Sequence, residues 1–352
     1  MTVASPLGPS LGTEARYEVR VEDVEYRRRD QPRDHPRDQP QVHPEDSLNS
    51  QMSSQRDGQG VWLARVYRPV GTGPFPALLD VHGGAWSGGT RENNAHIATE
   101  LASRGLVVVA IDFRLGPQHP YPASIQDTNY GTRWLKRHAV ELGIDPRRVG
   151  GLGSSSGGHM VLLSALRPHD PRYASHPLTP SELAGNEDAS LSYLILLWAV
   201  IDPHARYLFA QKAGRADLVA RSEGYFRSQE AMQEGNPQLI VAEWVRSGRV
   251  NAERHMLPAV PASPSTLPPV LLIQGTADAN LPPGMAEKFT ETYREAGGVI
   301  DLHLFPGQTH GFGVRPGADS DRALALIQEF ITRQSGPEQT EWAKQNREGK
   351  WQ

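Results

Sequence analysis

From residue 76 onward the chain alternates short apolar runs with longer amphipathic segments, and that alternation leaves few folds open. The apolar runs are Ala77 to Val81, Leu106 to Ile111, Val149 to Leu152, Leu191 to Val200, Val270 to Ile273 and Val299 to Leu304. Between or after them come helical patterns at Asn94 to Arg104, Ala123 to Leu142, Ser156 to Leu166, Gly284 to Ala296 and Ala318 to Thr332. A strand that is apolar on both sides needs cover on both sides, and intervening helices supply both cover and crossover. The pattern predicts an α/β fold on a mostly parallel, doubly wound sheet with helices on both faces.

Two half-exposed strand patterns precede this region, Tyr17 to Arg27 and Val61 to Tyr67. Between them, Arg29 to Gly58 is polar and punctuated by proline, too poor in apolar side chains to bury a core. It reads as a disordered excursion within a hairpin, and its His35 and His43 as solvated loop residues. A second interruption, Asp202 to Pro268, is partly helical and aromatic (Tyr207, Phe209, Tyr225, Phe226, Trp244) and ends in the proline-rich Leu257 to Pro269. An insertion here sits above the C-terminal edge of the sheet, where open α/β folds bind ligands, and reads as a cap. The expected division is residues 1–59 (N-terminal strand plus polar segment), 60–201 (first part of the core), 202–268 (cap-like insertion), 269–332 (second part of the core) and 333–352 (polar tail).

Composition narrows the function classes. With 36 basic and 40 acidic residues the net charge is −4, so no basic field gathers nucleic acid. The longest apolar run, Leu194 to Ile201, has a strand's length, so no membrane partner is expected. Absence of cysteine removes disulfides, thiolate metal sites and cysteine nucleophiles. Met1 to Ala15 lacks the basic and apolar regions of an export signal, which makes the cytoplasm the expected location.

The chemistry centres on Gly153-Ser154-Ser155-Ser156-Gly157-Gly158, which follows one apolar run and opens an amphipathic helix. A sharp strand-to-helix turn strains its central residue and demands small neighbours two positions away, which marks Ser155 as the nucleophile. Upstream, His82-Gly83-Gly84-Ala85-Trp86 follows the run Ala77 to Val81; backbone N–H groups in such a turn can face a developing oxyanion. Gly83, Gly84, Ala85, Trp86 and Ser156 are the candidates around that oxygen, with the amides of Gly84, Ala85 and Ser156 as preferred donors. A serine hydroxyl needs a base oriented by a carboxylate. Asp278 follows Val270 to Ile273, and His310 follows Val299 to Leu304 and a Pro306-Gly307 turn. They are the expected orienting acid and base. Asp202 competes for the acid role, His159 and His303 read as packing residues, and Asp127 as a loop anchor.

As an ordered set, His82-Gly83-Gly84-Ala85-Trp86, Asp112-Phe113-Arg114-Leu115, Tyr121-Pro122-Ala123, the Gly153 to Gly158 turn, Gly275-Thr276-Ala277-Asp278 and His310-Gly311-Phe312 resemble the α/β-hydrolase superfamily over residues 60–332. Within it they look like the HGG-containing carboxylesterases related to hormone-sensitive lipase and to dienelactone-hydrolase-like enzymes. Two motifs depart from that pattern: Ala85 stands where the lipase-type motif has a third glycine, and the turn reads Gly-Ser-Ser-Ser-Gly instead of Gly-Asp-Ser-Ala-Gly. The resemblance implies an α/β-hydrolase fold and a serine carboxylesterase acting on small to medium esters, aryl esters included, without metal or organic cofactor. An amidase, formamidase or peptidase with the same triad, and a non-catalytic ligand-binding protein, are the alternatives. The apolar helix Ala323 to Ile331 is a candidate homodimer face.

Overall fold

In a computed structural model, residues 16–28, 60–176, 188–247 and 267–334 are described. Eight strands form one sheet: β1 (Val19–Arg28), β2 (Val61–Pro69), β3 (Phe75–Val81), β4 (Val107–Ile111), β5 (Ile144–Ser154), β6 (Leu194–Leu197), β7 (Val270–Gly275) and β8 (Ile300–Phe305), in spatial order β1-β2-β4-β3-β5-β6-β7-β8. β1 pairs antiparallel with β2, and β2 antiparallel with β4. The remaining neighbours are all parallel.

Ten α-helices lie among the described residues: α1 (Ala95–Ala102), α2 (Ala123–Arg137), α3 (Ala139–Leu142), α4 (Ser156–Leu166), α5 (Pro203–Lys212), α6 (Ala216–Phe226), α7 (Gln229–Glu234), α8 (Pro237–Ser247), α9 (Met285–Glu295) and α10 (Ala318–Gln334). Successive strand residues point to opposite faces, so β3 and β4 divide themselves between two cores. Ala77, Leu79, Val81, Val107, Val109 and Ile111 pack with side chains of α2, α4, α8 and α9. Leu78, Val108 and Ala110 pack on the other face with α1 and α10. This is the doubly covered, mostly parallel sheet that the apolar runs predict.

Differences from the sequence pattern have local causes. The helix expected over Ala123 to Leu142 is broken at His138, whose ring stacks on Trp134 (centroids 4.3 Å apart) and whose Nδ1 lies 2.9 Å from the Trp134 carbonyl. The run Leu191 to Val200 keeps only Leu194–Leu197 as strand, because Trp198 turns the chain with φ 39°. The apolar stripe of α10 is not a free face: Ala323, Leu324, Ile327, Phe330 and Ile331 are buried in this chain's own core. Arg29 to Gly58, the proline-rich stretch from Leu257 to Thr266 and the tail beyond Gln334 lie outside the described residues.

Register fixes where loops emerge. Val81 pairs with Ile111 and Gly153, Ser154 with Leu197, Leu197 with Ile273, and Gly275 with Phe305. Each of these residues is at or near a strand's C-terminal end. The glycine turn after β3, the serine after β5 and the loops after β7 and β8 are therefore delivered to one edge of the sheet.

Candidate functional site

Ser155 occupies the turn between β5 and α4 with φ 52° and ψ −119°, a conformation that side chains rarely adopt. Close packing on either side holds it there. A Cβ on Gly153 would lie 2.5 Å from the Gly157 carbonyl oxygen, and one on Gly157 would lie 1.9 Å from that of Val81. Only glycine fits at both positions, which is the steric reason for the spacing read from the sequence.

His310 Nε2 lies 2.9 Å from Ser155 Oγ, and His310 Nδ1 lies 2.7 Å from Asp278 Oδ2. The ionised carboxylate only accepts, so Nδ1 carries the proton and Nε2 is left to accept from the serine hydroxyl. Asp278 is held by further donors: Gln274 Nε2 at 2.9 Å and the amides of Asn280 and Leu281 at 2.8 and 3.2 Å. Burial raises its pKa, but the bonds from His310, Gln274 and Asn280 outweigh burial and hold it below the ordinary carboxylate range. Asp202, the rival acid, caps α5 instead, accepting from the Ala205 amide at 2.9 Å and from Asn236 Nδ2 at 2.7 Å.

The glycine turn stands beside Ser155. Gly83 N–H donates to Ser154 Oγ at 3.1 Å and Trp86 N–H donates to Ser156 Oγ at 3.2 Å. Those two amides are spent on holding the turn, which removes Gly83 and Trp86 as oxyanion donors. The amides of Gly84 and Ala85 remain, with Ser156 N–H, which begins α4 and has no earlier helical carbonyl to meet. Ala85 and Trp86 have φ 50° and 60°, so the turn is left-handed through two non-glycine residues. Nothing in the residue pattern pointed to Ser154, Ser156, Gln274 or Asn280 in these supporting roles.

Two histidines near the site are structural. His159, fully buried in α4, accepts from Trp86 Nε1 at 3.2 Å through Nδ1 and donates from Nε2 to the Gly235 carbonyl at 2.7 Å. His82 lies 2.7 Å through Nδ1 from the Gly83 carbonyl and stacks on Phe113 with centroids 4.2 Å apart. Burial lowers both pKa values to about 4, so both are neutral at physiological pH. Asp127, likewise buried, binds Arg27 and the amide and guanidinium of Arg114, tying β1 to the loop after β4. His303 lies half-buried on β8.

Ser155 and His310 open into a cavity of about 380 Å³, whose wall includes Gly84, Ala85, Trp198, and Arg206, Leu218 and Arg221 of α5 and α6. Among the described residues, no group of three or more His, Cys, Asp or Glu side chains is arranged to hold a metal ion, and no helix is long and apolar enough to cross a membrane.

A serine on the turn after parallel strand β5, with an aspartate after β7 and a histidine after β8, is an arrangement that the fold of α/β-sheet hydrolases accommodates. A family model described as alpha/beta hydrolase fold matches residues 78–314, and the chain belongs to that family. Among curated relatives it is 27% identical over 265 residues to the probable carboxylic ester hydrolase LipM of Mycobacterium tuberculosis, covering 74% of this chain and 54% of LipM. It is 27% identical over 268 residues to the esterase LipC of the same organism, covering 74% of this chain and 59% of LipC. The match thus spans little more than half the length of either relative. Esterase B from Lactobacillus rhamnosis shares the fold, with a TM-score of 0.62 at 20% identity over 93% of this chain and 89% of that one.

Proposed function

We propose that this protein is a serine carboxylesterase hydrolysing small to medium esters, aryl esters included, with Ser155 as nucleophile, His310 as base and Asp278 as the orienting carboxylate. The observation that carries the reading is the continuous chain of hydrogen bonds from Ser155 Oγ through His310 to Asp278, 2.9 and 2.7 Å long, with Ser155 and His310 lining a cavity. The names of the curated relatives, a carboxylic ester hydrolase and an esterase, support the same reaction type.

In this mechanism Ser155 Oγ attacks the ester carbonyl carbon while its proton passes to His310 Nε2. The carbonyl oxygen becomes anionic and receives N–H donors from Gly84, Ala85 and Ser156, each worth roughly 3–4 kcal/mol in the transition state. The tetrahedral intermediate collapses, the C–O bond to the alcohol breaks, and His310 returns its proton to the leaving oxygen. Water, deprotonated by His310, then attacks the acyl-enzyme and releases the acid and the free serine. Helices α5 and α6, within the segment read as a cap, wall the cavity through Arg206, Leu218 and Arg221 and set which acyl and alcohol groups enter.

The test is turnover of a panel of aryl and alkyl esters with an anilide and a formamide alongside, by wild type, Ser155→Ala and His310→Ala. Ester turnover far above amide turnover, abolished in both variants, is the expected result. Undiminished turnover in Ser155→Ala overturns the assignment.

A further inference from the structure

Three arginines line the cavity above Ser155: Arg206 of α5, Arg215 of the following turn and Arg221 of α6. Arg215 has its counter-charge, since its Nε and Nη2 lie 3.0 and 3.1 Å from the two oxygens of Asp217. Arg221 leans over the glycine turn, its Nη1 3.1 Å from Ser87 Oγ and 3.4 Å from the Gly84 carbonyl, with no carboxylate in contact among the described residues.

Arg206 is the unusual one. It is only 2% exposed, yet its partners are a hydroxyl and a ring: Nη1 donates to Ser222 Oγ at 2.9 Å, and Cζ sits 5.3 Å from the centre of the Trp86 ring. Its Nε is buried with no acceptor. The carboxylates whose fields reach it are already engaged, Asp217 by Arg215 and Asp278 by His310. Burial lowers its pKa only to about 10, so the charge persists at neutral pH.

A buried guanidinium without a counter-ion carries a desolvation cost that neither a hydroxyl nor a ring face neutralises. Bonding Ser222 alone needs only a neutral donor. The charge, and the Nε–Nη2 edge that Ser222 leaves open, call for an anion, and that edge is the fork that matches a carboxylate. We propose that Arg206, seconded by Arg221, is an anion subsite of this cavity, and that the preferred substrates are esters carrying a free carboxylate, such as monoesters of short dicarboxylic acids. This rests on the reading of Ser155 as the nucleophile.

Two matched pairs test it: p-nitrophenyl butyrate against mono-p-nitrophenyl glutarate, with the charge on the acyl side, and phenyl acetate against 4-acetoxybenzoate, with the charge on the alcohol side. The expected result is a kcat/KM preference of roughly tenfold or more for the anionic member of at least one pair. In Arg206→Gln, which keeps a donor for Ser222, the anionic-to-neutral ratio falls by a similar factor, and in Arg221→Gln it falls less. A wild-type preference for the neutral member of both pairs, or a ratio unchanged in Arg206→Gln, overturns the proposal and leaves Arg206 a packing residue. Calorimetric binding of mono-ethyl glutarate to Ser155→Ala, weakened in Ser155→Ala/Arg206→Gln, reads the subsite without turnover. Failure of the esterase reading, seen as no turnover of either neutral ester, is thereby separable from failure of the subsite, seen as no binding.

Discussion

The amide of Trp86 donates to Ser156 Oγ across 3.2 Å, joining the glycine turn to the first residue of the helix behind Ser155. A parallel bond, Gly83 N–H to Ser154 Oγ at 3.1 Å, fastens the other end of the turn. The two serines that flank the nucleophile, where relatives of the resembled group carry aspartate and alanine, are thus clamps on the turn that presents Gly84 and Ala85. Ser154 is itself tied to Asn94 at 3.2 Å.

If the clamps act by aiming oxyanion donors, their removal should act on the transition state more than on ground-state binding. Ser154→Ala and Ser156→Ala should each lower kcat roughly 3- to 10-fold, the worth of one net hydrogen bond, while KM stays within about twofold. Steady-state kinetics on one aryl ester suffices. A rise in KM at constant kcat would show the turn to be a binding feature.

Asp278 should matter through the tautomer of His310. In Asp278→Asn the amide can present N–H to His310 Nδ1, which then accepts and leaves the proton on Nε2, facing Ser155 Oγ. A loss of roughly 10³–10⁴ in kcat is expected at neutral pH, with the near-ultraviolet circular dichroism unchanged. A loss below tenfold would assign the orienting role elsewhere.

The fold was largely legible because periodicity reports how each element is buried. Ser156–Leu166 forms the helix expected, and every apolar run from Ala77 onward overlaps a strand. The placement of Ser155, Asp278 and His310 at one edge of the sheet was legible because each follows an apolar run whose parallel partner fixes the edge it reaches. What was not legible depends on which loop faces which: the clamps of Ser154 and Ser156, the bond from Trp86 to His159, and the unpaired charge of Arg206 all join segments 70 or more residues apart or arise from an absent partner. The break at His138 escaped for a different reason, since a side chain folding back on its own helix leaves the apolar pattern intact.

Asp80 lies beneath the site, 2% exposed, accepting from Asn94 Nδ2 at 2.7 Å. Burial raises its pKa to about 7, against the lowering effect of the Asn94 bond. Because the folded value lies above the unfolded one, the folded chain holds a proton between about pH 4 and 7 that the unfolded chain has lost. The resulting stability is complete below the unfolded pKa and disappears as pH rises through about 7. Asp80→Asn keeps an acceptor for Asn94 and removes the titration. Relative to wild type the variant should therefore be more stable at pH 8 than at pH 5, by on the order of 1 kcal/mol for each pH unit crossed below 7. Urea midpoints at the two pH values measure it; a difference independent of pH would mean that Asp80 is ionised throughout.

His159 works in the opposite direction. Its ring must stay neutral, because Nδ1 accepts from Trp86 Nε1 while Nε2 donates to Gly235 O, and burial holds its pKa near 4. With the folded value below the unfolded one, the stability it confers is fully present above the unfolded pKa of about 6.5 and is lost as pH falls from there to about 4. Protonation would also turn Nδ1 into a donor facing another donor, releasing the Trp86 ring that stacks on Tyr225 of α6. Glutamine can reproduce one acceptor and one donor without titrating. His159→Gln should thus be less stable than wild type at pH 7, by roughly 1–3 kcal/mol for imperfect geometry and packing. The gap should close as pH falls from 6.5 towards 4, at about 1.4 kcal/mol per pH unit, because only wild type loses this contribution. Taking the difference between the two proteins cancels the titrations of Asp80 and His82, which both retain. A gap that stays constant from pH 7 to pH 5 in urea denaturation would show that His159 accepts a proton in the folded state, and the bond from Trp86 would then not be its anchor.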